Sequence, residues 1–188
     1  PRVGVSRSLQ WMGGPRWGRH HNLLPSLTTM VSSGGRIFYI IDEAPIGVKS
    51  LTDKWSLVAR DGFNGLRLWS LPISKWGWKQ WSKLEVGGTM RFKGPDQIFR
   101  RIVAIDDTVY VTPGFKERVI ALDAATGTRI REYAGTENTA EMLYLDGKLL
   151  LAANVSGPGK SVLAVDADSG KTLWKRDGYT GVTSRGDD

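Results

Sequence analysis

Cysteine is absent from the 188 residues, which excludes disulfides, thiolate-ligated zinc and cysteine nucleophiles. Histidine is nearly absent, His20 and His21 being the only two. Neighbours on an extended segment point to opposite sides, so this pair does not readily chelate one ion, and the nearest acid after it is Asp42. No metal site is therefore expected. Long apolar runs are missing too. The best, Ile37-Phe38-Tyr39-Ile40-Ile41, has the length of a strand, far short of the roughly 18 residues a membrane span needs. No segment carries a helical period. Dense Lys/Arg runs and the usual nucleic-acid signatures are absent, so nucleic acid is not an expected partner. The sequence opens at Pro1 with neither Met nor a basic-then-apolar leader, as a processed N-terminus or an internal piece would.

What is present describes a folded chain. Hydrophobic residues make up 40% and charged residues 24%, too apolar for a disordered segment. The net charge of +7 is unevenly spread: residues 1–101 carry 16 basic against 6 acidic side chains, and the remainder 10 against 13. A basic half can attract phosphate or anionic lipid, although scattered Arg and Lys usually form a solvated surface.

Three segments repeat. Asp61-Gly62-Phe63-Asn64-Gly65, Asp123-Ala124-Ala125-Thr126-Gly127 and Asp166-Ala167-Asp168-Ser169-Gly170 share the pattern Asp-x-x-(Asn/Thr/Ser)-Gly. Trp69 and Trp174 follow their Asp by eight positions, whereas the middle copy has Arg131 there. Each Asp can accept bonds from backbone N–H groups two or three residues on, with Gly in the left-handed position. The second and third copies are 43 residues apart and the first two 62, which reads as one period with an insertion, judged against a propeller blade of about 40–45. A second hairpin precedes each copy, turning at Ser33-Gly34-Gly35, Asp106-Asp107 and Asp146-Gly147.

Every unit thus holds four short strands in an antiparallel meander; in the last, these are about 139–145, 148–153, 161–166 and 171–176. The middle strands are apolar on both faces, as in Val109-Tyr110-Val111 and Leu149-Leu150-Leu151. A sheet buried on both faces needs a neighbour on each side, which radially stacked blades supply and a half-wet sandwich does not. The expected fold is all-β: a partial β-propeller of about three four-stranded antiparallel blades, part of a longer propeller. A Greek-key sandwich is the runner-up. The expected divisions are a remnant of a preceding blade at 1–24, blade one at 25–73, a Trp-rich insertion at 74–100, blade two at 101–133, blade three at 139–178, and the start of a further segment at 179–188. An open arc of this kind should leave apolar faces exposed on its first and last blades.

Ala121-Leu122-Asp123-Ala124-Ala125-Thr126-Gly127 and Ala164-Val165-Asp166-Ala167-Asp168-Ser169-Gly170-Lys171-Thr172-Leu173-Trp174 closely resemble the pyrroloquinoline-quinone-type (PQQ-type) propeller repeat. The resemblance covers roughly residues 25–178 and is most specific in the last copy. That repeat occurs in quinoprotein alcohol dehydrogenases and in an outer-membrane assembly lipoprotein without cofactor, which implies bacterial origin and the cell envelope or periplasm. In that family the Asp, Gly and Trp are architectural. Carried over, Asp61, Gly65, Asp123, Gly127, Asp166 and Gly170 fix turns, and Trp69 and Trp174 dock between blades. Arg131 departs from the pattern, so its interface must pack differently. Gly13-Gly14-Pro15-Arg16-Trp17-Gly18-Arg19-His20-His21 is also similar to a segment of large bacterial propeller proteins.

No catalytic dyad stands out, and nothing matches the metal-ligand or catalytic segments of the quinoprotein dehydrogenases. The expected function is a non-catalytic module that binds a protein partner or small ligand and contacts further blades, with no cofactor. The alternative is part of a quinoprotein oxidoreductase using PQQ with calcium. A second alternative is a carbohydrate- or polyanion-binding surface on the basic half, where Trp76, Trp78 and Trp81, with Lys75, Lys79 and Lys83 beside them and Arg16, Trp17 and Arg19 added, offer rings and charge for stacking. Against this, a long insertion must bury something to be ordered, and those rings are the obvious choice.

Overall fold

The computed structural model describes residues 9–13, 27–44, 53–77, 80, 98–154 and 159–178. Within them twelve strands form three separate four-stranded antiparallel sheets, each a simple meander. Blade one contains β1 (Leu27–Ser33), β2 (Arg36–Asp42), β3 (Trp55–Asp61) and β4 (Arg67–Pro72). Blade two contains β5 (Ile102–Ile105), β6 (Thr108–Val111), β7 (Ile120–Asp123) and β8 (Arg129–Glu132). Blade three contains β9 (Thr139–Leu145), β10 (Lys148–Ala153), β11 (Ser161–Asp166) and β12 (Thr172–Asp177). The last four lie within one residue of the strands read from the sequence. A single 3-10 turn, Ile98–Arg100, precedes blade two.

Local chemistry sets the register. Leu145 pairs with Lys148 across the two-residue turn Asp146-Gly147, whose φ values are +46° and +74°. Positive φ at both positions matches the right-handed twist of the flanking strands, and Asp and Gly are the residues that tolerate it. The turn after the third strand is built identically in all blades. Its Gly donates to the Asp carbonyl (Gly65 to Asp61, 2.9 Å; Gly127 to Asp123, 2.8 Å; Gly170 to Asp166, 2.9 Å). The residue after the Asp then bonds back to the first hairpin turn: Gly62 to Gly35, Ala124 to Asp107, Ala167 to Gly147.

The core lies between blades. Phe38, Ile40, Leu57 and Ala59 of blade one pack on Ile102, Val109, Val111, Ile120 and Leu122 of blade two. The alternate residues of blade two, Tyr110, Val119 and Ala121, pack on Met142, Leu149, Leu151, Leu163 and Val165 of blade three. Successive side chains on a strand face opposite ways, so blade two is buried on both faces and its strands can afford no polar alternation. The two outer faces depart from expectation. On blade one Tyr39, Ile41 and Val58 are buried although Met30 opposite Tyr39 is exposed, and among the described residues the broader open apolar face is that of blade three. Strand β5 approaches both β1 and β9, and the Ile98–Arg100 turn contacts both β1 and β9.

Candidate functional site

The repeat residues meet at the joints between blades. Trp69, on β4, lies over the Asp123–Gly127 turn of blade two, and its Nε1 donates to the Ala124 carbonyl at 3.0 Å. A Cβ built on Gly127 would fall 2.7 Å from the indole Cδ2, so only glycine admits the ring. Phe38 supports the ring from blade one, with centroids 5.9 Å apart. Trp11 repeats the arrangement against blade one. Its ring lies where a Gly65 Cβ would be, and Nε1 donates to the Gly62 carbonyl at 3.1 Å.

The middle copy divides the work. Arg131 lies along Gly170, its Cδ 3.1 Å from the position a Cβ would take, and Nη1 donates to the Ser169 carbonyl at 3.1 Å. The bond that indole supplies elsewhere comes from Tyr133, whose hydroxyl donates to the Ala167 carbonyl at 2.5 Å. Gly62, Ala124 and Ala167 are the same position of the repeat, one residue after the Asp. Burial raises the Tyr133 pKa and keeps the phenol a donor. Sequence reasoning missed Tyr133. The available signal was its place two residues beyond Arg131, on the same side of the chain.

Each recurrent aspartate is spent on its turn. Asp61 Oδ1 accepts from the amides of Phe63 and Asn64 at 2.8 and 2.9 Å. Asp123 Oδ1 accepts from the amides of Ala125 and Thr126 and from the Thr126 hydroxyl. Asp166 Oδ1 accepts from the amide and hydroxyl of Ser169. The hydroxyls, and then the amides, hold the Asp123 and Asp166 carboxyls below the usual range.

Trp174 differs from the docked rings. It lies on the free face of blade three and is 45% exposed. Trp76 departs from the ligand-surface expectation in the opposite sense. It is only 1% exposed, packed among Trp55, Ile73 and the blade-one core, so its ring is not available for stacking on a ligand. Burying that indole removes a large apolar area from water, which is what orders the chain after β4. Lys75 beside it pairs with Glu117 at 2.8 Å. Arg16, Trp17, Arg19, Trp78 and Trp81, with His20 and His21, lie outside the described residues.

A groove of about 330 Å³ opens beside Pro113–Arg118, between Arg129, Glu132 and Glu137. Its charges answer one another: Arg118 bonds Glu137 at 2.5 Å and Glu132 at 3.0 Å, and Arg129 bonds Glu132 at 3.0 Å. Among the described residues no three of His, Asp or Glu gather in a way that would hold a metal ion. Calcium takes about six to eight oxygen ligands, and the recurrent carboxylates are turned onto backbone N–H groups, so the described residues do not fit a calcium-held quinone.

Four-stranded meanders joined face to face, with indole rings lying on Asp-x-x-x-Gly turns, define a β-propeller of PQQ-like repeats. The profile of the family described as outer membrane protein assembly factor BamB matches residues 56–187, and the chain belongs to that family. No curated protein sequence matches it. Among solved structures it is similar to the quinohemoprotein alcohol dehydrogenase of Comamonas testosteroni, at 19% identity and a TM-score of 0.48, covering 79% of this chain and 20% of that one. It is also similar to BamB of Moraxella catarrhalis, at 16% identity and a TM-score of 0.48, covering 80% and 36%. The β-propeller domain of the Trilobed protease from Pyrococcus furiosus is similar at 11% identity and a TM-score of 0.48, covering 81% and 42%. The chain thus spans between a fifth and less than half of these proteins.

Proposed function

We propose that this chain is a non-catalytic propeller module that binds or scaffolds, and that it works beside further blades of a longer protein. The observation that carries the reading is where the repeat's polar chemistry goes. The carboxylates of Asp61, Asp123 and Asp166 accept turn amides, and the donors of Trp11, Trp69, Arg131 and Tyr133 bond carbonyls of the next turn. Groups held this way position backbone, each aspartate through its Oδ1 and each donor through a carbonyl of the neighbouring blade's turn. Fold alone assigns no function, but an account in which the three repeated aspartates and the donors at the joints bond to backbone favours an architectural role.

Blade three adds the surface such a role needs. Leu143 is 57% exposed and Trp174 45%, with Leu150 and Val162 half-buried beside them. Apolar area of this kind on one face marks an interaction surface. Titration with PQQ and calcium, followed by quinone absorbance and dye-linked alcohol oxidation, tests the reading. Neither binding nor turnover is expected. Stoichiometric micromolar binding with turnover would replace the scaffold by the oxidoreductase.

A further inference from the structure

Arg101 stands immediately before β5 and Thr112 immediately after β6. The Thr112 amide donates to the Arg101 carbonyl at 3.3 Å, extending the β5–β6 ladder by one pair. Residues opposite each other on a ladder share a face of the sheet, so the two side chains leave on the same side. Both are buried: Arg101 is 3% exposed and Thr112 0%. Both also carry donors with nothing to donate to. Arg101 Nη1 donates to the Phe115 carbonyl at 3.2 Å, but among the described residues its Nε has no acceptor, and neither does the Thr112 hydroxyl.

The charge is as unusual as the geometry. The neighbouring cations are paired, Arg100 with Glu141 at 2.5 Å and Lys75 with Glu117 at 2.8 Å. Arg101 has no carboxylate partner among the described residues and instead lies over the Phe115 ring, 4.6 Å from its centroid. Burial pushes its pKa down to about 10, which still leaves it protonated at neutral pH. A buried guanidinium without a counter-ion is strongly unfavourable, and a well-packed apolar residue of similar volume would be preferred if packing were the only demand. A fold that keeps such a group has a use for it elsewhere.

We propose that Arg101 and Thr112 form a binding site for a small ligand's anionic group, a carboxylate or a phosphate, at the end of blade two where β5 begins. The planar guanidinium offers Nε and Nη donors in a fork that matches two oxygens of either group, and the Thr112 hydroxyl supplies a third donor. The ring of Phe115 holds the guanidinium in place while its charge waits for the ligand. This site does not require the module to be a scaffold, and its failure would leave that reading untouched.

The test compares the full chain with its Arg101→Met, Arg101→Lys and Thr112→Val variants in low-chloride buffer, using inorganic phosphate and citrate as separate probes. Calorimetry and thermal unfolding are read together, because a ligand bound only by the folded state raises the melting temperature. For the unchanged chain, saturable binding of at least one probe is expected, with a matching rise in melting temperature. Phosphate alone would identify a phosphoryl ligand and citrate alone a carboxylate. Arg101→Met should bind at least tenfold more weakly, lose the anion-linked rise, and melt no lower than the unchanged chain without anion. Arg101→Lys and Thr112→Val should fall between. The proposal is overturned if neither probe binds, or if Arg101→Met binds equally well. It is also overturned if Arg101→Met melts much lower without anion, which would make the arginine a structural strut. Glu85 and Asp96 are acids outside the described residues; stronger anion binding in Glu85→Gln or Asp96→Asn would show that the chain supplies its own counter-ion, and would overturn the proposal equally.

Discussion

Blades one and three each turn a face away from blade two, and the two faces are treated differently. On blade one Tyr39, Ile41 and Val58 are at most 6% exposed. The segment Leu9–Gly13 lies against that blade: Trp11 covers Gly65, and Arg60, bonded to the Tyr39 hydroxyl at 2.8 Å and the Gly65 carbonyl at 2.5 Å, sits beside Gly13. On blade three the equivalent ring, Trp174, and its neighbour Leu143 face outward. The same repeat therefore gives a sealed face or an adhesive one according to whether a turn and a ring meet across it. Neighbour contact, not blade composition, decides the outcome, as in other repeat architectures.

The sharpest break of this comparison is association. Isolated from other blades, the chain should self-associate through blade three, and Leu143→Lys should reverse this, while a charge placed on Met30, which pairs with Tyr39 on blade one's outer face and is itself exposed, should not. Light scattering on the two variants decides. Loss of association with Met30→Lys, or its persistence with Leu143→Lys, would mean that the sticky surface lies elsewhere.

Stability comes next. Trp69→Ala should cost about 3 kcal/mol, near the lower end for a large packed aromatic, because it empties a joint between blades. Trp174→Ala should cost under about 1 kcal/mol in this chain, since the ring has no turn to lie on. Chemical denaturation measures both, and equal costs would show that Trp174 is packed. A finer contrast follows from the glycines. Gly127→Ala meets both a φ of +73° and a ring 2.7 Å away, whereas Gly170→Ala meets a φ of +76° and the flexible Arg131 stem at 3.1 Å. The backbone penalty, about 1 kcal/mol, is common to both. The excess at Gly127, on the order of another 1–2 kcal/mol of overpacking, measures how rigidly indole occupies its joint.

The smallest effect is a pH dependence. The Asp123 and Asp166 carboxyls are depressed in the folded chain, so the unfolded chain binds protons first as pH falls. Their contribution is fully present above the unfolded value of about 3.9 and is lost as pH drops through the lower folded values. Asp166→Asn should flatten the acid limb of an unfolding curve between about pH 4 and 2. An unchanged limb would mean that the Ser169 bonds do not favour the ionised form.

Much of this was legible because the repeat writes its turns in residues with few alternatives. Asp at the first position and Gly at the fifth are demanded by two amide acceptances and a positive φ, so three copies reveal the period before any packing is considered. The apolar run on both faces of β6 and β7 announced a sheet with two neighbours. The docking partner of each ring was not legible. Trp69 and Gly127 are distant in sequence and joined only by the stacking of blades, and nothing local says that Tyr133 takes over the indole's bond. Trp76 misled for a related reason. A Trp flanked by Lys reads as exposed, yet its ring turns inward against Trp55 and Ile73 while Lys75 turns out to Glu117. Arg101 has no sequence signature at all, because its lack of a counter-ion among the described residues is a fact about space.

The joint itself has one more consequence. Its acceptor is a peptide carbonyl at residue 62, 124 or 167, and its seat is an absent side chain, so one blade scarcely reads the identity of the next. Such a coupling is generic hardware: an indole, or an arginine and a phenol together, fits any blade ending in the same turn. Genes encoding blades of this kind can be duplicated, trimmed or shuffled without redesigning the seams. Selection is then left free to act on the loops, where neighbouring copies have already drifted furthest apart.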